Sequence, residues 1–158
     1  MRELVLLRHA HAETAAPGQD DFDRALSPQG QAEAEAAGRW LLDHRYAPDL
    51  VVYSPARRTR ETVERVLETL GYHEQRAEQR IYDATPGTLM QVADEHKDIG
   101  RVLLVGHNPG LEQLAALLSS GQSGDFRGMP AGAIAVLTLP VGAELEPGAA
   151  ELAAFWWP

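Results

Sequence analysis

The chain contains no cysteine. That excludes disulfides and thiolate chemistry, and any zinc site would need histidine and carboxylate ligands alone. Long apolar runs are missing too. No stretch of about 18 apolar residues occurs, so no membrane-spanning helix is expected. The opening run Leu4-Val5-Leu6-Leu7 is too short for the core of a secretory signal, and no small-residue cleavage site follows it. A cytoplasmic location is the resulting expectation. Positive charge is also in deficit. The formal net charge is −9, which disfavours general nucleic-acid binding. Against that background Arg57, Arg58 and Arg60 form a local basic cluster. Such a cluster is either a solvated helix face or part of an anion site.

What remains is a balanced chain of 158 residues, 44% hydrophobic and 23% charged. Those values suit a globular protein, and the length suits one domain spanning residues 1–158. Four places pair a capping residue with proline: Ser27-Pro28, Ser54-Pro55, Thr85-Pro86 and Asn108-Pro109. The side-chain oxygen can cap orphan N–H groups, and proline suits the first helical position. Each pair is expected to open a helix. Apolar residues then recur at helical spacing: Val63, Val66, Leu67 and Leu70; Leu89, Val92 and Ala93; Leu111, Leu114, Ala115 and Leu118. The helix after Pro28 carries Ala34, Ala37 and Leu41 on one stripe.

Short apolar runs between these helices read as strands, at residues 5–7, 50–53, 102–105, 133–139 and 152–156. Alternating strands and helices imply an α/β fold. The expected architecture is a three-layer sandwich, with a mostly parallel central sheet, an antiparallel edge strand and helices on both faces. Residues 141–148 read as the connection between two antiparallel edge strands. Residues 119–132, rich in glycine and serine, read as a mobile loop. Residues 13–26 form a long acidic connection after the first strand. Loops at strand C-terminal ends are where such sheets bind ligands.

Three strand exits carry the chemistry. The first is Arg8-His9-Ala10-His11. The second is Tyr53-Ser54-Pro55, entering the helix with the arginines. The third is Gly106-His107-Asn108-Pro109. A parallel sheet brings these exits to one edge. Helix N-termini and arginine forks both favour phosphate oxygens. A neutral imidazole among them could attack phosphorus, provided its other nitrogen donates a hydrogen bond that fixes the tautomer.

Leu7-Arg8-His9-Ala10, Ser54-Pro55-Ala56-Arg57-Arg58-Thr59-Arg60-Glu61-Thr62 and Val105-Gly106-His107-Asn108-Pro109 resemble, in order, the three motifs of the histidine phosphatase, or phosphoglycerate mutase-like, superfamily. Asp23-Arg24-Ala25-Leu26-Ser27-Pro28-Gln29-Gly30 resembles the segment that opens its first helix. The short length and the Arg-His-Ala opening are most similar to SixA-type phosphohistidine phosphatases. The resemblance implies a nucleophilic His9 that forms a phosphohistidine intermediate. It makes Arg8, Arg58 and His107 the phosphate-binding residues, with no cofactor and no metal. It further implies a phosphorylated protein as substrate, such as a histidine phosphotransfer protein, or a small phosphorylated metabolite.

Other positions are candidates by place alone. Arg57 lies about 100° around the helix from Arg58 and is a candidate for the pocket rim. His11 and Asn108 are rim candidates too; His11 could equally be simply exposed. Many relatives carry a carboxylic general acid; this sequence has no clear match for it between Gln75 and Thr88, where Glu78 and Asp83 are candidates by position only. A phosphoramidate leaving group already protonated on nitrogen needs less help. His44, His73 and His96 receive no role, and Trp156-Trp157 reads as core closure or an edge-strand anchor. Three rival readings remain. One is a metallohydrolase using His9, His11, Glu13 and His107. Another is a phospho-ligand binding module without turnover. The third is a small-molecule phosphatase of the same superfamily.

Overall fold

The computed structural model describes residues 1–71, 73–124 and 128–158. Its centre is a six-stranded sheet of β1 (Arg2–Arg8), β2 (Leu50–Tyr53), β3 (Gln75–Ala77), β4 (Arg101–Gly106), β5 (Ile134–Leu139) and β6 (Glu151–Trp156), in the order β3-β2-β4-β1-β5-β6. β4 pairs in parallel with β1 and β2, and β2 pairs in parallel with β3. β5 runs antiparallel to both β1 and β6. The sheet is thus parallel except for the hairpin at one edge, as the pattern implied. Strand β3 was not foreseen. Its three residues are exposed and show no alternation, and they become a strand only by pairing with Val51 to Tyr53.

Helices α1 (Pro28–Asp43) and α2 (Arg57–Leu70) cover one face, while α3 (Pro86–Asp94) and α4 (Gly110–Ser120) cover the other. The period-2 geometry of strands explains how both faces are apolar. From β1, Leu4 and Leu6 enter the core under α3 and α4, and Val5 and Leu7 enter the core under α1 and α2. Each expected helical stripe supplies buried residues: Ala34, Ala37 and Leu41; Val63 and Val66; Leu89, Val92 and Ala93; Leu111, Leu114 and Leu118.

Two proline pairs open helices as expected. Ser27 Oγ accepts from the Gly30 amide and Thr85 Oγ1 from the Thr88 amide, with Pro28 and Pro86 first in their helices. The other two do not. α2 begins at Arg57, two residues beyond Pro55, because Ser54 Oγ is turned to the Ala56 amide and to His107. α4 begins after Pro109, which occupies the capping position, and Asn108 Oδ1 reaches the Glu112 amide from one residue further out. The supposed loop at 119–132 is helical in its first two residues, which complete α4. Residues 125–127 lie outside the described ones. Beyond them the chain is anchored, since Met129 is buried at 2% exposure.

Candidate active site

The C-terminal ends of β1, β2 and β4 lie side by side, because these strands are parallel neighbours in the sheet. His9 follows β1 directly, and its amide donates to the Gly106 oxygen at the end of β4 at 3.0 Å. That bond sets His9 beside His107, the ring centroids being 5.2 Å apart.

Hydrogen-bond inventory assigns both rings. A guanidinium can only donate. Arg58 Nε donates to His9 Nε2 at 3.4 Å, so that nitrogen carries a lone pair. The proton of the neutral ring is then on Nδ1, which donates to the Ala10 carbonyl at 2.7 Å. Arg58 Nη2 likewise donates to His107 Nδ1 at 3.3 Å. His107 therefore carries its proton on Nε2, where Ser54 Oγ lies at 2.8 Å and Thr59 Oγ1 at 3.3 Å. Two lone pairs, one on each imidazole, converge on one guanidinium. Burial lowers the His9 pKa to about 3; the guanidinium charges of Arg58 and Arg8, and that of His107 once protonated, add to the effect against the Ala10 bond. Burial, then Arg58, lowers His107 to about 4. Both rings are thus neutral bases at neutral pH.

The second motif supplies the walls. Arg58 projects inward from the first turn of α2 and is only 6% exposed. Thr62, one turn on, ties the helix to β1. Its hydroxyl donates to the Arg58 carbonyl at 2.7 Å and accepts from the Ala10 amide at 3.1 Å. Ser54, Thr59 and Thr62 are all fully buried. The sequence marks Ser54 only as a helix cap, and Thr59 and Thr62 only as part of the motif; Ser54 and Thr59 orient the His107 ring, while Thr62 joins backbone to backbone.

Arg8 leans toward the far side. Nη1 donates to the Met129 carbonyl at 2.8 Å, while Nε is buried without a protein partner. Among the described residues it is the one buried side-chain nitrogen or oxygen left so. Such a group is costly unless something accepts from it. Burial lowers the Arg8 pKa, opposed by Glu112 and Glu33. Asn108 shares the Met129 carbonyl at 2.9 Å and also bonds Glu112. It shapes the wall behind Arg8.

The acidic connection contributes a residue that local pattern did not mark. Asp21 heads a short 3-10 turn, Asp21–Asp23. Its Oδ2 accepts from Arg58 Nη2 at 3.0 Å and from the Tyr82 hydroxyl at 2.7 Å. Tyr82 stands edge-on to His107 at 5.5 Å and to Phe22 at 5.4 Å. Asp21 lies 37 residues from Arg58 and 61 from Tyr82, so no window of sequence could reveal it.

Several candidates do not join this group. His11 is exposed, with Nδ1 2.6 Å from Ser27 Oγ at the start of α1. Arg57 is exposed and paired with Glu61 at 3.2 Å. Glu78 caps the next 3-10 turn and holds Arg80, and both bonds lower its pKa. A general acid needs the opposite shift. Asp83 is an exposed turn residue at φ 56°. Trp156 packs against the core and stacks on Trp40 at 5.8 Å, an edge-strand anchor, while Trp157 is 56% exposed. Among the described residues no three histidine or carboxylate side chains converge as metal ligands, since His11 turns to Ser27 and His9 to Arg58.

The model of the histidine phosphatase superfamily (branch 1) matches residues 4–97, a span that ends before His107. An uncharacterized protein of Mycobacterium tuberculosis is 36% identical, over 94% of this chain and 98% of that one. The crystal structure of a candidate phosphohistidine phosphatase, SixA, from Agrobacterium tumefaciens is 32% identical. It superposes with a TM-score of 0.86 over 99% of this chain and 98% of its own. A second structure of that description, from Nakamurella multipartitia, is 33% identical, with a TM-score of 0.86 over 99% and 96%.

Proposed function

The chain belongs to the histidine phosphatase superfamily, branch 1, and from that premise we propose that it hydrolyses protein phosphohistidine through a covalent intermediate on His9. One observation carries the reading. His9 Nε2 is an unprotonated nitrogen, fixed by the Nδ1–H bond to Ala10 and faced by the side chain of Arg58. Such a nitrogen is a nucleophile at neutral pH.

A phosphoryl group entering between the two imidazoles meets Arg58 on one side and Arg8 on the other. Their N–H groups take its equatorial oxygens. His9 Nε2 attacks phosphorus in line, and the bond to the leaving group breaks as the new N–P bond forms. The negative charge of the group beside His107 offsets the burial and the Arg58 charge that keep its pKa low. Nδ1 then takes the proton of the phosphoryl group's own hydroxyl and holds that oxygen, now deprotonated, by an N–H···O bond in the transition state. Ser54 fixes that ring through its other nitrogen. Water attacks the phosphohistidine on the return step, which releases phosphate and restores the lone pair on Nε2.

The choice of leaving group follows from the carboxylates. Glu78 is engaged by Arg80, Asp83 points from an exposed turn, and Asp21 is bound by Arg58 and Tyr82. None of the three is set to give up a proton. An imidazole leaving group protonated on its other nitrogen departs neutral and needs no acid. The likeness to structures described as candidate phosphohistidine phosphatases supports the same substrate class. The partner is then a phosphorylated protein of the histidine phosphotransfer type.

The test is a substrate panel of a phosphohistidine protein, sugar phosphates and phosphotyrosine, with His9→Ala as control. Turnover of the phosphohistidine protein, lost in His9→Ala, is expected. Robust turnover of sugar phosphates without it would assign the enzyme to small phosphomonoesters. Quenched reactions should also yield a ³²P label on the wild-type chain that survives alkali and is lost in acid. A label still present in His9→Ala would overturn the nucleophile.

A further inference from the structure

Arg58 offers two forks of N–H donors, a side fork of Nε and Nη2 and an end fork of Nη1 and Nη2. The side fork faces the imidazoles, with Nε 3.4 Å from His9 Nε2 and Nη2 3.3 Å from His107 Nδ1. The end fork meets a single residue. Asp21 accepts Nη1 on its backbone oxygen at 2.8 Å and Nη2 on Oδ2 at 3.0 Å. We infer that Asp21 is the positioning residue of the site, gripping Arg58 by its end fork so that the side fork is aimed between His9 and His107. The inference rests on the phosphate pocket described above and adds a residue to it.

Asp21 is itself held. Tyr82 donates to Oδ2 at 2.7 Å, and Arg24 Nη1 donates to Oδ1 at 2.9 Å. Arg24 in turn bonds the Glu13 carbonyl at 2.8 Å, which ties the turn back to the exit of β1. The bonds from Tyr82 and Arg24 keep the Asp21 carboxyl well below the usual carboxylate range. It stays an anion and does not serve as a proton donor. Its role is geometric and electrostatic. Arginine has several rotatable bonds, and choosing one orientation costs entropy. Here that choice is made before any phosphoryl group arrives, which is the advantage of a preorganised donor. The half-exposed Asp21 carboxylate, at 51%, grips a guanidinium at 8% from the solvent side. The hold therefore forms at the pocket mouth, where the acidic connection crosses it.

The test is a double-mutant cycle read by two assays. Inorganic phosphate affinity is measured by calorimetry, and kcat and KM are measured on p-nitrophenyl phosphate. Asp21→Ala should weaken phosphate binding and lower kcat, by up to about a hundredfold if the donors are misplaced by about 1 Å. Asp21→Asn keeps an oxygen for Nη2 and should recover part of both losses. Tyr82→Phe should lower kcat less than Asp21→Ala does. In an Arg58→Lys background there is no end fork to grip, so Asp21→Ala should change phosphate affinity by less than about twofold. An equal loss in both backgrounds would overturn the inference, because Asp21 would then act without Arg58. So would a change of less than twofold in the wild-type background. If the wild-type chain binds phosphate but turns over no substrate, the proposed function fails, while the binding cycle still decides this inference.

Discussion

The two neutral imidazoles should make the protein acid-sensitive in a specific pH window. His9 and His107 have an ordinary pKa of 6.5 and are lowered to about 3 and about 4 in the folded chain. Between about pH 4 and 6.5 the unfolded chain binds protons at these rings that the folded chain refuses. Stability therefore rises with pH through this window, is fully present above 6.5 and is lost as pH falls. At pH 5 each ring is about 3% unprotonated in the unfolded chain, against near-complete deprotonation when folded. The linkage relation converts this to about 2 kcal/mol per ring, or about 4 kcal/mol for the pair, relative to pH 7.5. That is a large share of a typical folding free energy of about 5–15 kcal/mol. The assay is urea unfolding at pH 7.5 and pH 5.0, for the wild-type chain and for His9→Asn/His107→Asn. Asparagine does not titrate. The double variant should lose about 4 kcal/mol less than the wild type over this interval, whatever its absolute stability. His96, whose pKa is also lowered, is common to both chains and cancels. Asp21 titrates below the window. Equal pH dependence in the two chains would refute the claim that the pocket holds both rings neutral.

Other outcomes follow from single contacts. Ser54→Ala removes the acceptor at His107 Nε2 and leaves a buried N–H with only Thr59 near it. It should cost about 1–3 kcal/mol in thermal or urea unfolding and lower kcat more than it raises KM. Gly30→Ala would drive a Cβ into the His11 carbonyl oxygen, a backbone atom that cannot step aside. Unfolding measurements should show a loss of about 3 kcal/mol or more. Arg57→Ala removes an exposed arginine paired with Glu61, so kcat/KM should stay within about twofold and stability within about 0.5 kcal/mol.

Some of this protein could be read directly along the chain. Five of the six strands are apolar runs and four helical stripes carry their own periodicity; for the four inner strands β2, β4, β1 and β5, burial on both faces of the sheet demands it. Strand β3 was illegible for the complementary reason. Its exposed residues bury nothing, and only the partner β2 makes them a strand. The start of α2 was misplaced because Ser54 had two uses, and the stronger one, at His107, lies 53 residues away. The glycine- and serine-rich stretch looked featureless, yet Met129 within it supplies the carbonyl that Arg8 and Asn108 share.

His9 is where the division is clearest. The sequence alone placed it at a strand exit, in order with Arg58 and His107, and made phosphate chemistry the natural expectation. Residue identity and spacing suffice for that, since strand direction and helix starts are local properties. Tertiary structure decided which nitrogen of His9 is bare, how far its basicity falls, and which fork of Arg58 faces it. It also brought in Asp21, which does not stand out from Asp20 and Asp23 beside it in the chain. Tautomer, charge state and aim depend on burial and on donors far away in sequence, and those come together only when the chain folds.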